Sequence, residues 1–161
     1  MTKKNLSAND RGVDQRSLFA KNMKNIEEYC KKHSLKLTPV RRKVFELLLE
    51  EKRGLGAYRI LDLLREAGFK SQPPVAYRAL EFLVEIGFAH RIGSQNSFVA
   101  CTMPGEHHAP VFMICKKCDS VSEAPSSPSV SDLSHSLMEV GFEVEQTRIE
   151  AEGICSSCAD R

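Results

Sequence analysis

At 161 residues, with 42% apolar, 27% charged and 7% aromatic content, the chain suits one domain or two small ones around a buried core. No apolar run nears the roughly 18 residues of a membrane helix. No apolar stretch follows the N-terminal lysines, as it would in a signal peptide. A cytoplasmic protein is therefore expected, and not a membrane or secreted one. The net charge of +2 hides a split: residues 1–100 carry 19 Lys and Arg against 11 Asp and Glu, net +8, and residues 101–161 carry 4 against 10, net −6. Either the halves merely differ in surface, or a basic half meets a polyanion while an acidic half does something else.

Residues 1–16 form a polar leader. Four helical patterns follow in the basic half. The first covers about residues 18–32. The second opens at Thr38-Pro39, a capping residue before a proline at the first helical position, and its apolar set at helical spacing is Val40, Val44, Phe45, Leu47 and Leu48. The third spans about 58–67, with Ile60, Leu61, Leu63, Leu64 and Ala67 on one face and Gly68 as its stop. The fourth runs from Pro73-Pro74 to Ile86, its core stripe being Ala76, Ala79, Leu80, Leu83 and Val84, with Arg78 and Glu81 outward and Tyr77 on the flank.

Strands at 88–91 and 97–101, joined by a turn-rich tip, complete the outline of a winged helix, a helix-turn-helix relative whose last helix enters the major groove. Arg78 is placed to reach a base edge, and Arg41, Arg42 and Lys43 suit phosphate contacts. A helical domain with a hairpin and no nucleic acid is the plainer alternative.

In the acidic half, Val111–Cys115 is an unbroken apolar run, as expected of a strand buried on both faces, and Val121–Ala124 is its candidate partner. Residues 124–129 read as a loop. Val130, Leu133, Leu137 and Met138 recur at helical spacing until Gly141, and 142–145 and 148–154 are further strand candidates. The fold class is therefore α+β. Such a unit of about 50 residues is marginal without a staple.

The staple is visible as Cys115-x-x-Cys118 and Cys155-x-x-Cys158, separated by 36 residues. Two intervening residues let one turn offer both sulfurs to one tetrahedral ion, so four thiolates closing on a structural zinc is the expectation. A redox role for the C-x-x-C pairs is the alternative. The remaining donors, His90, Cys101, His107, His108 and Glu123, occupy the hairpin, its end, the connector and the strand after the first pair. A second site made from them would tie the two halves together, and a sulfur among nitrogen and oxygen donors suits zinc; unconnected surface histidines are the plain alternative. His33 and His135 are given no role, and Cys30 is expected to be packed.

The residues Leu37-Thr38-Pro39-Val40-Arg41, Ala57-Tyr58, Pro73-Pro74-Val75-Ala76-Tyr77-Arg78-Ala79-Leu80, Gly87-Phe88-Ala89-His90, Cys101 and the two C-x-x-C pairs carry a resemblance. The chain resembles the ferric uptake regulator family of bacterial metal-sensing repressors, most of all its zinc uptake branch, over about residues 26–158. The resemblance implies a homodimeric repressor that binds palindromic operator DNA when zinc is plentiful. It implies two zinc ions per chain, a structural one on Cys115, Cys118, Cys155 and Cys158 and a regulatory one on His90, Cys101, His108 and Glu123. His108 is preferred to His107 by its spacing from Cys115 in that branch. Tyr58, Tyr77 and Arg78 are the implied DNA-facing residues, beside the Arg41 and Arg42 already read as phosphate contacts.

The implied layout is a leader (1–16), a winged-helix domain (17–101), a hinge (102–110) and a zinc-stapled dimerisation domain (111–161). Val75-Ala76 departs from the family's usual Thr-Val and removes a hydroxyl near the DNA. An iron- or peroxide-sensing member, or a zinc-stapled interaction module without DNA binding, is the alternative reading. No enzyme is expected, since no H-x-E or H-E-x-x-H motif is present.

Overall fold

The computed structural model describes residues 15–105, 108–124, 128–145 and 147–159. The chain divides after Thr38 into two units. Of the first, the described part is built on α1 (Gln15–Lys32), which starts three residues earlier than the sequence periodicity places it. Residues 1–14 of the expected leader lie outside the described residues, and Gln15 and Arg16 belong to the helix. No helix among the described residues is long and apolar enough to cross a membrane.

The second unit, from Pro39 onward, opens with α2 (Pro39–Glu50), β1 (Leu55–Gly56), α3 (Ala57–Glu66) and α4 (Pro73–Glu85). The hairpin β2 (Ala89–Ile92) and β3 (Ser97–Ala100) follows, and β1 adds to β3 to give a three-stranded antiparallel sheet in the order β1-β3-β2. This is the winged-helix arrangement. Its core is built from Val44, Phe45, Leu47 and Leu48 of α2, Ile60, Leu61 and Leu64 of α3, and Leu80 and Leu83 of α4, all buried. The Phe45 and Phe88 rings meet edge to face at 5.6 Å between centroids.

Two details differ from the periodicity. Phe82 of α4 is buried and Val84 only half-buried, because the Arg41 guanidinium stacks over the Phe82 ring at 3.7 Å and covers it. Ala67 is exposed because it caps the C-terminus of α3, where its N–H bonds back to Leu63. Gly68 and Gly87 follow α3 and α4 with φ of +87° and +74°, the left-handed values that let a helix end there.

The second sheet has the order β5-β4-β6. Strand β4 (Val111–Cys115) pairs antiparallel with β5 (Val121–Ala124) and parallel with β6 (Ile149–Gly153). Phe112 and Ile114 face inward, while Met113 is 49% exposed, so β4 is covered on one face and not on both in the single chain. Of the expected loop at 124–129, Ala124 belongs to β5 and residues 128–129 to α5 (Pro128–Glu139), and residues 125–127 lie outside the described residues. Residues 142–145, expected as a strand, form none, and β4 is paired on both edges by β5 and β6. The short α6 (Ser156–Ala159) sits within the second C-x-x-C pair.

The wing packs on this sheet. Ile92 clusters with Phe112 and Ile114, and half-buried Val99 and Val121 close the cluster. Glu150 of β6 accepts hydrogen bonds from the Gly93 N–H at 2.7 Å and the Ser94 N–H at 3.0 Å, which pins the wing turn. The Ser94 side chain, and after it the Ser94 and Gly93 N–H groups, hold the Glu150 carboxyl below its ordinary pKa. The loop after α2 adds a third tie, since Arg53 bridges to Ser120 and the Lys52 carbonyl accepts the Val121 N–H at 3.0 Å.

Candidate metal centres and nucleic-acid face

The turn after β4 presents Cys115 and Cys118, and the turn after β6 presents Cys155 and Cys158. Because β4 and β6 are parallel neighbours with Cys115 opposite Gly153, both pairs emerge at the same end of the sheet. The four sulfurs lie within 4.8 Å of one another. The Cys118 and Cys155 sulfurs are 3.8 Å apart, which is the edge of a tetrahedron whose corners stand about 2.3 Å from its centre, the zinc–thiolate length. None of the six cysteines forms a disulfide.

The Cys155 N–H donates to the Cys115 sulfur at 3.4 Å, and this bond leads the causes that lower the Cys115 thiol to about 6. Cys118 is also lowered, chiefly by the Ser120 hydroxyl. Crowding against the Cys155 and Cys118 side chains pushes Cys158 up to about 12. Sulfurs this close repel once ionised, and a divalent cation relieves that repulsion. The residues therefore fit a closed four-sulfur site.

The second cluster gathers one donor from each of four places. His90 comes from β2, Cys101 from the end of β3, His108 from the connector and Glu123 from β5, and their donor atoms again fall within 4.8 Å. Local register explains the gathering. Glu123 stands opposite Phe112 and on the same face as Val121, so the alternation that buries those apolar groups also turns the carboxylate inward. The Cys101 N–H donates to the Phe88 carbonyl at 3.0 Å, which prolongs the hairpin and holds the sulfur, 2% exposed, beside His90.

His108 Nε2 lies 2.7 Å from Glu123 Oε1 and 3.7 Å from Cys101 Sγ. His90 Nε2 lies 3.4 Å from the same Oε1 but makes no oriented hydrogen bond, although it is buried. A buried ring nitrogen without a partner costs free energy, and it faces a thiol, a second imidazole and a carboxylate. That donor set fits zinc better than a hard ion. Burial alone would raise the Glu123 carboxyl, but His90 beside it and the Thr102 backbone and hydroxyl donors outweigh burial and bring it down to about 2. The group is thus an anion at neutral pH. His107 lies outside the described residues.

The expected DNA-facing residues are distributed over three helices. Tyr58, 70% exposed, begins α3, and Tyr77 and Arg78 project from α4. Gln72, the residue capping α4, makes no side-chain cap bond. Arg41 and Arg42 are less available than their sequence positions imply. Arg41 covers Phe82, and Arg42 Nε pairs with Glu46 at 3.3 Å, while Lys43 pairs with the other Glu46 oxygen at 3.1 Å. Thr102, which sequence reasoning left among hinge residues, donates both its N–H and its hydroxyl to Glu123 Oε2, each at 2.8 Å. Glu150 was likewise invisible, since only the tertiary contact gives it a partner.

Residues 32–152 match the Ferric uptake regulator family. The zinc uptake regulation protein of Escherichia coli (strain K12) is 38% identical over 136 residues, which cover 83% of this chain and 79% of that protein. A solved zinc uptake regulator complexed with zinc and DNA superposes with a TM-score of 0.82 at 35% identity, covering 92% of this chain and 97% of its own. Holo XcZur superposes with a TM-score of 0.80 at 36% identity (86% and 97% covered), whereas apo XcZur reaches 0.51 at 35% identity (88% and 97% covered). With two donor clusters at these positions and this extent of likeness, the chain belongs to the ferric uptake regulator family.

Proposed function

We propose that the protein is a zinc-responsive transcriptional repressor of that family, which binds palindromic operator DNA as a homodimer and controls zinc-uptake genes from the cytoplasm. In this reading it is not an enzyme. Residues 17–101 act as the DNA-binding domain, 102–110 as the hinge and 111–161 as the dimerisation domain. Cys115, Cys118, Cys155 and Cys158 hold a structural zinc, and His90, Cys101, His108 and Glu123 a regulatory one.

The observation that carries the reading is the second cluster, because its four donors come from the wing, the connector and the second sheet. Bound there, zinc supplies a Lewis-acid centre that accepts two imidazole nitrogens, one thiolate and one carboxylate oxygen in a single shell. Convergence of His90 and Cys101 on Glu123 holds the hairpin against β5, and α4, which leads into β2 through Gly87, is held with it. Arg78 and Tyr77 are then presented at a fixed separation from their counterparts in a second copy. Successive major grooves require about 34–36 Å between the two reading helices. The likeness to holo rather than apo XcZur, two forms of one relative, supports two discrete arrangements.

For the dimer, the outer face of the second sheet offers half-exposed Met113, and Met113, Ala151 and Ile154 line a groove of about 440 Å³. The Cys101→Ser variant tests the reading. It should remain a folded dimer and lose operator binding at zinc levels that saturate the unmodified protein. Zinc-dependent binding by the variant equal to the parent's would remove the second cluster from sensing. Replacing zinc with iron(II) or manganese(II) in the parent should give weaker operator binding; equal or tighter binding with iron(II) would favour an iron-sensing member.

A further inference from the structure

We infer that Thr102 is a positioning residue that confines Glu123 to a single metal-facing oxygen, and so sets the second cluster's preference for a four-coordinate ion over ions that take larger, oxygen-rich shells. The inference rests on the reading of His90, Cys101, His108 and Glu123 as a metal site.

The geometry is asymmetric at the carboxylate. Oε1 faces the donors, 2.7 Å from His108 Nε2 and 3.4 Å from His90 Nε2. Oε2 faces Thr102 alone among the described hydrogen bonds, accepting its N–H at 2.8 Å and its hydroxyl at 2.8 Å. A carboxylate offers about two lone-pair directions per oxygen, so both directions on Oε2 are spent. An oxygen in that state does not also coordinate a cation. Glu123 therefore contributes one ligand atom, and with two nitrogens and a sulfur the count is four, the number zinc takes. Manganese(II) prefers octahedral oxygen shells and gains from a carboxylate that binds through both oxygens.

The hydroxyl is the decisive half of the clamp. Without it the backbone N–H fills one direction on Oε2 and leaves the other unsatisfied. The Glu123 side chain is 2% exposed, so solvent is a poor substitute, and the unsatisfied direction turns toward a metal. Thr102 follows Cys101 directly, so one stretch of chain both supplies the sulfur and fixes the carboxylate. Thr102 itself is exposed, and its replacement leaves the core untouched.

The test uses Thr102→Val, with Thr102→Ser as the conservative variant and Thr102→Ala as a second deletion of the hydroxyl. The full-length protein, its four-cysteine site kept loaded with zinc, is titrated with cobalt(II), whose visible bands are intense in four-coordination and weaken on expansion. Zinc and manganese(II) affinities are measured by competition, and thermal melting before cobalt is added reports the fold.

In the parent and Thr102→Ser the cobalt bands should be intense. In Thr102→Val and Thr102→Ala they should weaken, zinc affinity should fall about 10- to 100-fold, and manganese affinity should fall less, with melting unchanged. Bands and a zinc-to-manganese ratio unchanged in both deletions would overturn the inference. So would equal losses for both metals or a lowered melting point in both, since these mark a merely structural threonine. Failure of the parent to take up a second equivalent of metal would instead overturn the reading of the site itself.

Discussion

Arg78 stands in the second turn of α4 with its side chain in solvent, on the face opposite Ala76, Ala79, Leu80 and Leu83. A guanidinium there can donate two hydrogen bonds to one guanine. Arg78→Ala should therefore cost roughly 1–3 kcal/mol on a preferred duplex and relax preference at one base position. Competition binding against a randomised duplex pool checks this, and a uniform loss across sequences would make Arg78 a phosphate contact instead. Arg78 was legible from sequence because an amphipathic helix displays its outward residues by spacing alone. The engagement of Arg41 with Phe82 was not legible, because it depends on how α2 and α4 cross. The same limit applies to Thr102 and Glu123, which lie 21 residues apart and meet only in the folded chain.

Among the elements, the two C-x-x-C pairs were the most legible, since the spacing itself encodes a turn that offers two sulfurs. That the pairs meet follows from the parallel pairing of β4 and β6, which brings Cys115 and Gly153 level. Residues 142–145 alternate as a strand would, yet form none, because alternation alone supplies no partner strand. Strand β1 is two residues long and carries no readable period. The four-sulfur cluster joins the ends of β4 and β6, in a part of the chain where Leu133 and Met138 of α5 are 44% and 53% exposed. Cys118→Ser leaves three sulfurs and should lower the melting temperature of the zinc-loaded protein by many degrees while removing one equivalent of tightly held zinc. Differential scanning calorimetry with metal analysis checks both, and an unchanged melt with an unchanged zinc content would contradict a structural role.

For the molecule as a whole, several ties join the wing to the second sheet: the Ile92, Phe112 and Ile114 cluster, the Glu150 clamp on the wing turn, the Arg53–Ser120 bridge and the His90, Cys101, His108 and Glu123 cluster. Of these ties the last alone contains a set of donors that a metal could draw together, so under the proposed function it is the one through which metal would act. Sensing needs a modest bias. A differential of about 1–3 kcal/mol between arrangements changes affinity 5- to 150-fold. The first three ties were not legible in the sequence, because each pairs residues distant along the chain.

Coupling of this kind is reciprocal: if the second cluster tightens DNA binding, DNA must tighten metal binding by the same factor. The most direct measurement is the zinc affinity of the second cluster, taken by chelator competition with and without a saturating duplex selected by the zinc-loaded protein. The account predicts that the duplex raises zinc affinity by the factor by which zinc raises duplex affinity. A zinc affinity indifferent to the duplex would contradict it.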